Sequence, residues 1–312
     1  MNQIRYLFLF LAFVSFTDII GQPFKIGTSS SIFRDTDRSN RRIPLTVYYP
    51  AMDEGIDVPL TSNNNEKFPV ICFGHGYLLG LKAYKNIVEA IVPEGYILLV
   101  PEPEGGLFPS HKAQAEDLVF VLDEFAKMAG IPSSLFFNRT DSLQGLMGFS
   151  MGGGSALVAA SCHPGIHALI ALAPYNTRPS AIESSSAVSV PALIFSGSND
   201  CITPPEEHQL PMYHSLTGRD RTWIQITGGT HCQMINKNST CRFGESVKRC
   251  KPDISQEEQH RIIESYLLPW LDFYLKGNTE SGRQFDLKIE SDPAIEYLRI
   301  QPLSEDYRKI QQ

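Results

Sequence analysis

The chain has 312 residues, 42% of them hydrophobic and 20% charged, with a formal net charge of −7. That length and apolar content suit one large globular domain rather than a disordered or fibrous chain. The acidic balance, without a long run of either charge, excludes an electrostatic partnership with nucleic acid.

The first element is a leader. Arg5 supplies a positive charge and an apolar stretch over 7–16 follows it, too short to span a bilayer. A cut near Gly21-Gln22 makes residues 1–21 a signal peptide. The mature chain is then secreted or periplasmic, with no stable membrane span. Farther on, apolar runs at 45–49, 70–73, 97–100, 143–147, 168–172, 192–195 and 223–226 read as strands, several buried on both faces. Helical spacing covers 83–92, 112–128, 153–161 and 206–216, and a long helix over 256–275 closes the core. Strand alternating with helix implies an α/β fold on a mostly parallel sheet flanked by helices. The stretch 176–189 is short, small and polar, so no large cap domain is inserted there. The loop 233–253 is the segment able to fold over a site as a small flap. The main domain covers 22–276, and 277–312 is a C-terminal extension holding a strand or two.

Residues 148–152 read Gly-Phe-Ser-Met-Gly, directly after an apolar run and directly before the small-residue helix that begins at Gly153. Strand, tight turn and helix in that order mark Ser150 as a nucleophile raised above the sheet. A serine nucleophile needs a base, and the base needs an orienting carboxylate, in the order Ser, Asp/Glu, His. Asp200 follows the strand over 192–195, and His231 follows the strand over 223–226 and a glycine pair. Functional groups of open α/β sheets gather outside the carboxyl ends of strands, so the three can converge. His208 and His214 also follow Asp200 but lie on the helical stretch 206–216, His75 precedes the serine and is out of order, and Asp220 precedes a strand rather than following one. A tetrahedral oxyanion needs two backbone donors, assigned to the N–H of Met151 and of Tyr77 in the loop after the strand 70–73.

These motifs, with Gly74-His-Gly-Tyr77, Gly197-Ser-Asn-Asp-Cys201, Thr203-Pro-Pro205 and Gly228-Gly-Thr-His-Cys232, resemble an α/β-hydrolase. The similar group holds polyester hydrolases and cutinases, chlorophyllases and platelet-activating-factor acetylhydrolases. The resemblance runs over 33–276 and implies an eight-stranded, mostly parallel sheet carrying the catalytic domain. It implies a secreted serine esterase that cleaves carboxylic esters through an acyl-enzyme, without cofactor or metal, on small esters, lipids or polyesters. It gives Tyr175, after Ala173-Pro174, a part in holding the acyl moiety. It also suggests a Cys201–Cys232 disulfide beside the acid and base, leaving Cys241 and Cys250 to staple a surface loop and Cys72 and Cys162 as thiols. Sequence alone does not decide the connectivity. A peptidase or acyltransferase on the same triad, and a non-catalytic adhesion module on the same scaffold, are the alternative classes.

Overall fold

The computed structural model describes residues 23–61 and 65–301, so the predicted leader 1–21 lies outside the described residues. β1 (Lys25–Asp35) and β2 (Arg41–Ala51) form an antiparallel hairpin in which Asp35 faces Arg41 and Lys25 faces Ala51. Ser39 and Asn40 turn the chain in the left-handed region, at φ 56° and 57°, where Asn is among the best tolerated residues. β3 (Gly55–Ile56) adds two residues beside β1.

β4 (Phe68–Gly74), β5 (Ile97–Pro101), β6 (Thr140–Phe149), β7 (Ala168–Leu172), β8 (Ala192–Gly197) and β9 (Arg221–Ile226) run parallel in the centre of the sheet. β10 (Ile295–Ile300) closes one side, antiparallel to β9. The order across the sheet is β10-β9-β8-β7-β6-β4-β5-β2-β1-β3. The expected eight strands are therefore ten, with antiparallel pairing at β10/β9 on one side and at β5/β2 and β2/β1 on the other, where β3 runs parallel to β1. β1 escaped the apolar pattern because its sequence is rich in Ser and Thr and half-exposed; pairing with the well-buried β2 makes it a strand.

The helices are α1 (Lys85–Ile91), α2 (His111–Ala129), α3 (Met151–Cys162), α4 (Ala181–Ser185), α5 (Gln209–Ser215), α6 (Ser239–Lys248), α7 (Gln256–Lys276) and α8 (Thr279–Ser291). Side chains alternate across each strand, so β4 sends Val70 and Cys72 to one face and Ile71 and Phe73 to the other. On the first face they meet Leu118, Leu122 and Phe125 of α2 and Leu157 of α3. On the second they meet Ile87 and Ile91 of α1 and Ile263, Leu267 and Leu271 of α7. Covering both faces explains why β4, β5 and β7 are buried along their whole length. The stretch between β7 and β8 holds only the five-residue α4.

One predicted helix is shorter than expected and one predicted loop contains a helix. The stretch 206–216 shortens to α5, with His208 just before its first turn. The loop 233–253 contains α6, whose first turn Asn238 caps by accepting the N–H of Cys241 at 3.1 Å. Arg41 grips the buried Asp117 of α2 through Nε at 2.8 Å and Nη2 at 2.7 Å, locking the hairpin to the first helical layer.

Leu271 is wholly enclosed between α7 and the sheet. Leu271→Ala is expected to lower stability by about 2–5 kcal/mol, read as a shift of the urea midpoint at unchanged slope.

Candidate active site

β6 is central to the sheet, and the chain leaves it through a turn that only small residues permit. A Cβ on Gly152 would lie 2.0 Å from the carbonyl oxygen of Gly74, and one on Gly148 would lie 2.3 Å from that of Gly152. With backbone pressed on backbone, Ser150 is forced to φ 55° and ψ −119°. A non-glycine residue there costs about 1–3 kcal/mol, which the surroundings must offset. They do so by hydrogen bonds: Ser150 N–H donates to Leu172 O at 2.9 Å, and Ser150 O accepts from Gly154 N–H and Tyr175 N–H.

Asp200 follows the end of β8 and His231 the end of β9, and both are almost fully buried. His231 Nδ1 lies 2.8 Å from Asp200 Oδ2, and His231 Nε2 lies 3.0 Å from Ser150 Oγ. Facing a carboxylate, Nδ1 carries the proton, which leaves the Nε2 lone pair to receive the serine hydroxyl. Phe149 lies against the imidazole, centroid to centroid 4.8 Å, as an apolar wall.

A buried carboxylate must be compensated by donors. Asp200 Oδ1 accepts the N–H groups of Ile202 and Thr203, each at 2.8 Å. Oδ2 takes the Thr203 hydroxyl at 2.8 Å as well as the imidazole. Thr203 Oγ1 is also 3.0 Å from His231 Nδ1, so one hydroxyl touches both partners. Sequence reasoning gave Thr203 no task. The signal was its spacing, since an Asp followed two and three residues later by bonded amides is a local Asx turn.

The two predicted oxyanion donors lie on either side of the glycine contact. Met151 N–H is at the first position of α3, where a helix leaves its amide without an intrahelical partner. Among the described residues, neither it nor Tyr77 N–H meets a protein acceptor. The neighbouring Gly76 N–H is taken by Tyr84 Oη at 2.7 Å, and Tyr77 Oη donates to Leu107 O at 2.9 Å. Buried His75 braces the same loop, with Nε2 2.7 Å from Pro103 O.

Tyr175 is 40% exposed and stands between two histidines. His208 lies beneath it with centroids 5.1 Å apart, and His111 meets its edge at 6.1 Å. His208 Nδ1 accepts the N–H of Asn176 and His111 Nδ1 that of Arg178, both at 3.0 Å. Both bonds require a neutral ring. Burial pushes each imidazole below its ordinary value of 6.5, and the charge of Arg178 adds to the effect at His111.

The disulfides correct the expectation. Cys201 is bonded to Cys250 and Cys232 to Cys241. The expected Cys241–Cys250 staple is blocked because α6 fills the interval. Along a helix nine residues rise about 13 Å, beyond the roughly 4.4–6.8 Å that a disulfide spans between Cα atoms. Each end of the segment is instead tied to its own loop, one beside His231 and one beside Asp200. Cys72 and Cys162 are thiols.

The chain is similar to several known proteins. A family model described as PET hydrolase-like matches residues 57–251. The chain is 26% identical over 217 residues to a bis(hydroxyethyl) terephthalate hydrolase of Streptomyces coelicolor, covering 69% of this chain and 64% of that protein. It is 29% identical over 236 residues to cutinase 2 of Thermobifida cellulosilytica, covering 75% and 74%. A cutinase of Thermobifida fusca is 28% identical over 236 residues, covering 75% and 64%. The match thus spans under two thirds of the Streptomyces protein's length.

Two outcomes are expected of the site. The sequence separations of 49 and 9 residues give chain-entropy stabilisations of about 4 and 2.5 kcal/mol, so Cys201→Ser/Cys250→Ser should lower the thermal midpoint more than Cys232→Ser/Cys241→Ser. The second concerns pH. The unfolded chain binds protons at His111 and His208 that the folded chain resists, so their stabilising part is complete above 6.5 and is lost as pH falls below it. A His111→Gln/His208→Gln variant should lose less thermal stability than the parent between about pH 6.5 and 5, measured by scanning fluorimetry.

Proposed function

The chain belongs to the PET hydrolase-like family, and from that membership we propose that it is a secreted or periplasmic serine hydrolase cleaving carboxylic esters through an acyl-enzyme. The observation that carries this reading is the continuous hydrogen-bonded line from Ser150 Oγ through His231 to Asp200 Oδ2. His231 Nε2 takes the hydroxyl proton as Ser150 Oγ bonds to the ester carbonyl carbon, and Asp200 stabilises the imidazolium. The carbonyl oxygen becomes an oxyanion received by the N–H groups of Met151 and Tyr77. Collapse breaks the carbon–oxygen bond to the alcohol, which leaves with the proton from His231. Water activated by the same imidazole then adds to the acyl-enzyme, and the acid departs as Ser150 regains its proton. Residues 22–276 form the catalytic domain of this reading.

Tyr175 is the side wall for the acyl group. Its amide bonds to the carbonyl of the nucleophile itself, so its ring is set at a fixed distance from the reacting carbon. Only α4 is inserted between β7 and β8, leaving the mouth without a large cap and favouring long or polymeric esters over small enclosed ones. The relatives named as a bis(hydroxyethyl) terephthalate hydrolase and a cutinase support carboxylic esters as the substrate class. Among the described residues no helix is long and apolar enough to cross a membrane.

Initial rates on p-nitrophenyl acetate, butyrate and octanoate test the reading. Ser150→Ala is expected to lower kcat by about 10⁴-fold or more without changing the thermal midpoint. Near-parental turnover in that variant, or none from the folded parent, would refute it.

A further inference from the structure

The segment 237–251 departs from the rest of the chain in charge. It holds Lys237, Arg242, Lys248, Arg249 and Lys251 against the single carboxylate Glu245, in a protein whose net charge is −7. Lys237 pairs with Glu257 at 3.8 Å. Among the described residues Arg242, Lys248, Arg249 and Lys251 form no salt bridge. Glu245 accepts the N–H of Cys232 at 2.8 Å and forms no ion pair with them.

The outer face of α6 is also apolar where solvent would favour polar groups. Phe243 and Val247, one helical turn apart, are 72% and 65% exposed. The inner face is occupied: Cys241 packs on the core, and Gly244 sits against Ile202. An amphipathic helix with its apolar stripe facing outward contributes little to its own stability, and α6 has no buried residue. Two covalent tethers hold it, one to the residue after Asp200 and one to the residue after His231. A cationic, apolar helix is thus fixed rigidly at the rim of the site.

We propose that α6 is a docking element for the surface of a solid polyester, with Phe243 and Val247 lying on the polymer and Arg242, Lys248, Arg249 and Lys251 meeting its carboxylate chain ends. Charge complementarity selects this occupant. Each ester hydrolysed adds water across the acyl–oxygen bond and frees one carboxylic acid, ionised at neutral pH, and one alcohol. A polyester surface therefore turns anionic where the enzyme works, and a cationic rim keeps the site on the region already opened. This inference rests on the ester-hydrolase reading and concerns adsorption, so the two separate experimentally.

The test measures adsorption isotherms on poly(ethylene terephthalate) nanoparticles, with p-nitrophenyl butyrate turnover measured alongside. Phe243→Ser/Val247→Ser and Arg242→Glu/Lys248→Glu are each expected to weaken adsorption about tenfold while soluble turnover stays within about twofold. Adsorption of the parent should fall as sodium chloride rises from about 0.02 to 0.5 M, as screening of exposed charges requires. Parental adsorption by both variants, no adsorption by the parent, or preferential binding to phosphatidylserine vesicles would overturn the proposal. Loss of soluble turnover in the parent would instead refute the ester-hydrolase reading itself.

Discussion

Backbone contact between Gly152 and Gly74 is the constraint on which the rest of the site depends. It brings the amino end of α3 onto the carboxyl end of β4, and only glycine tolerates so close an approach. Three consequences follow from that one meeting. Ser150 is held in a backbone conformation it would not choose alone. The amides of Met151 and Tyr77, on opposite sides of the contact, are brought to the same end of the sheet. The carbonyl of Ser150 is left to anchor Tyr175, so these two residues share one rigid frame. A loop-borne serine could not inherit that order from its neighbours.

The buried Asp200–His231 pair obeys a different rule, because the carboxylate there is held away from water. Asp200 can be buried only because four donors converge on its two oxygens. Two of those donors are amides of its own turn and a third is the hydroxyl of Thr203. The imidazole then meets a carboxylate with little freedom to rotate. Orientation of the His231 ring is thus settled by a turn of four residues rather than by long-range packing.

How much of this was legible depended on how local each signal was. Ser150, Asp200 and His231 could be picked out because each follows a strand whose apolar run is visible in the sequence, and the structure brings them within hydrogen-bonding distance. The parallel centre of the sheet was legible for the same reason. β1 was not, since its half-exposed Ser and Thr residues gain strand character only from β2 across the hairpin. Disulfide pairing could not be read either, because it turns on whether 239–248 is a helix, which keeps Cys241 from Cys250. The place of His208 beneath Tyr175 depends on two segments far apart in the chain, and spacing carries no trace of such a meeting.

β10 has a consequence for how molecules of this protein meet one another. A row of unpaired amides and carbonyls at a sheet margin is a template for a strand from another molecule. β10 covers that row on β9 and passes the exposed margin to a strand carrying Glu296 and Arg299, the latter paired with Asp286. A second molecule seeking to extend the sheet there must bury or displace those charges. The opposite margin ends in the two-residue β3 beside the Ser-rich β1, which offers few apolar side chains for a partner to cover. The two flanks therefore differ in the obstacle they set to sheet extension, charges among the exposed Tyr297, Leu298 and Ile300 on one and shortness on the other.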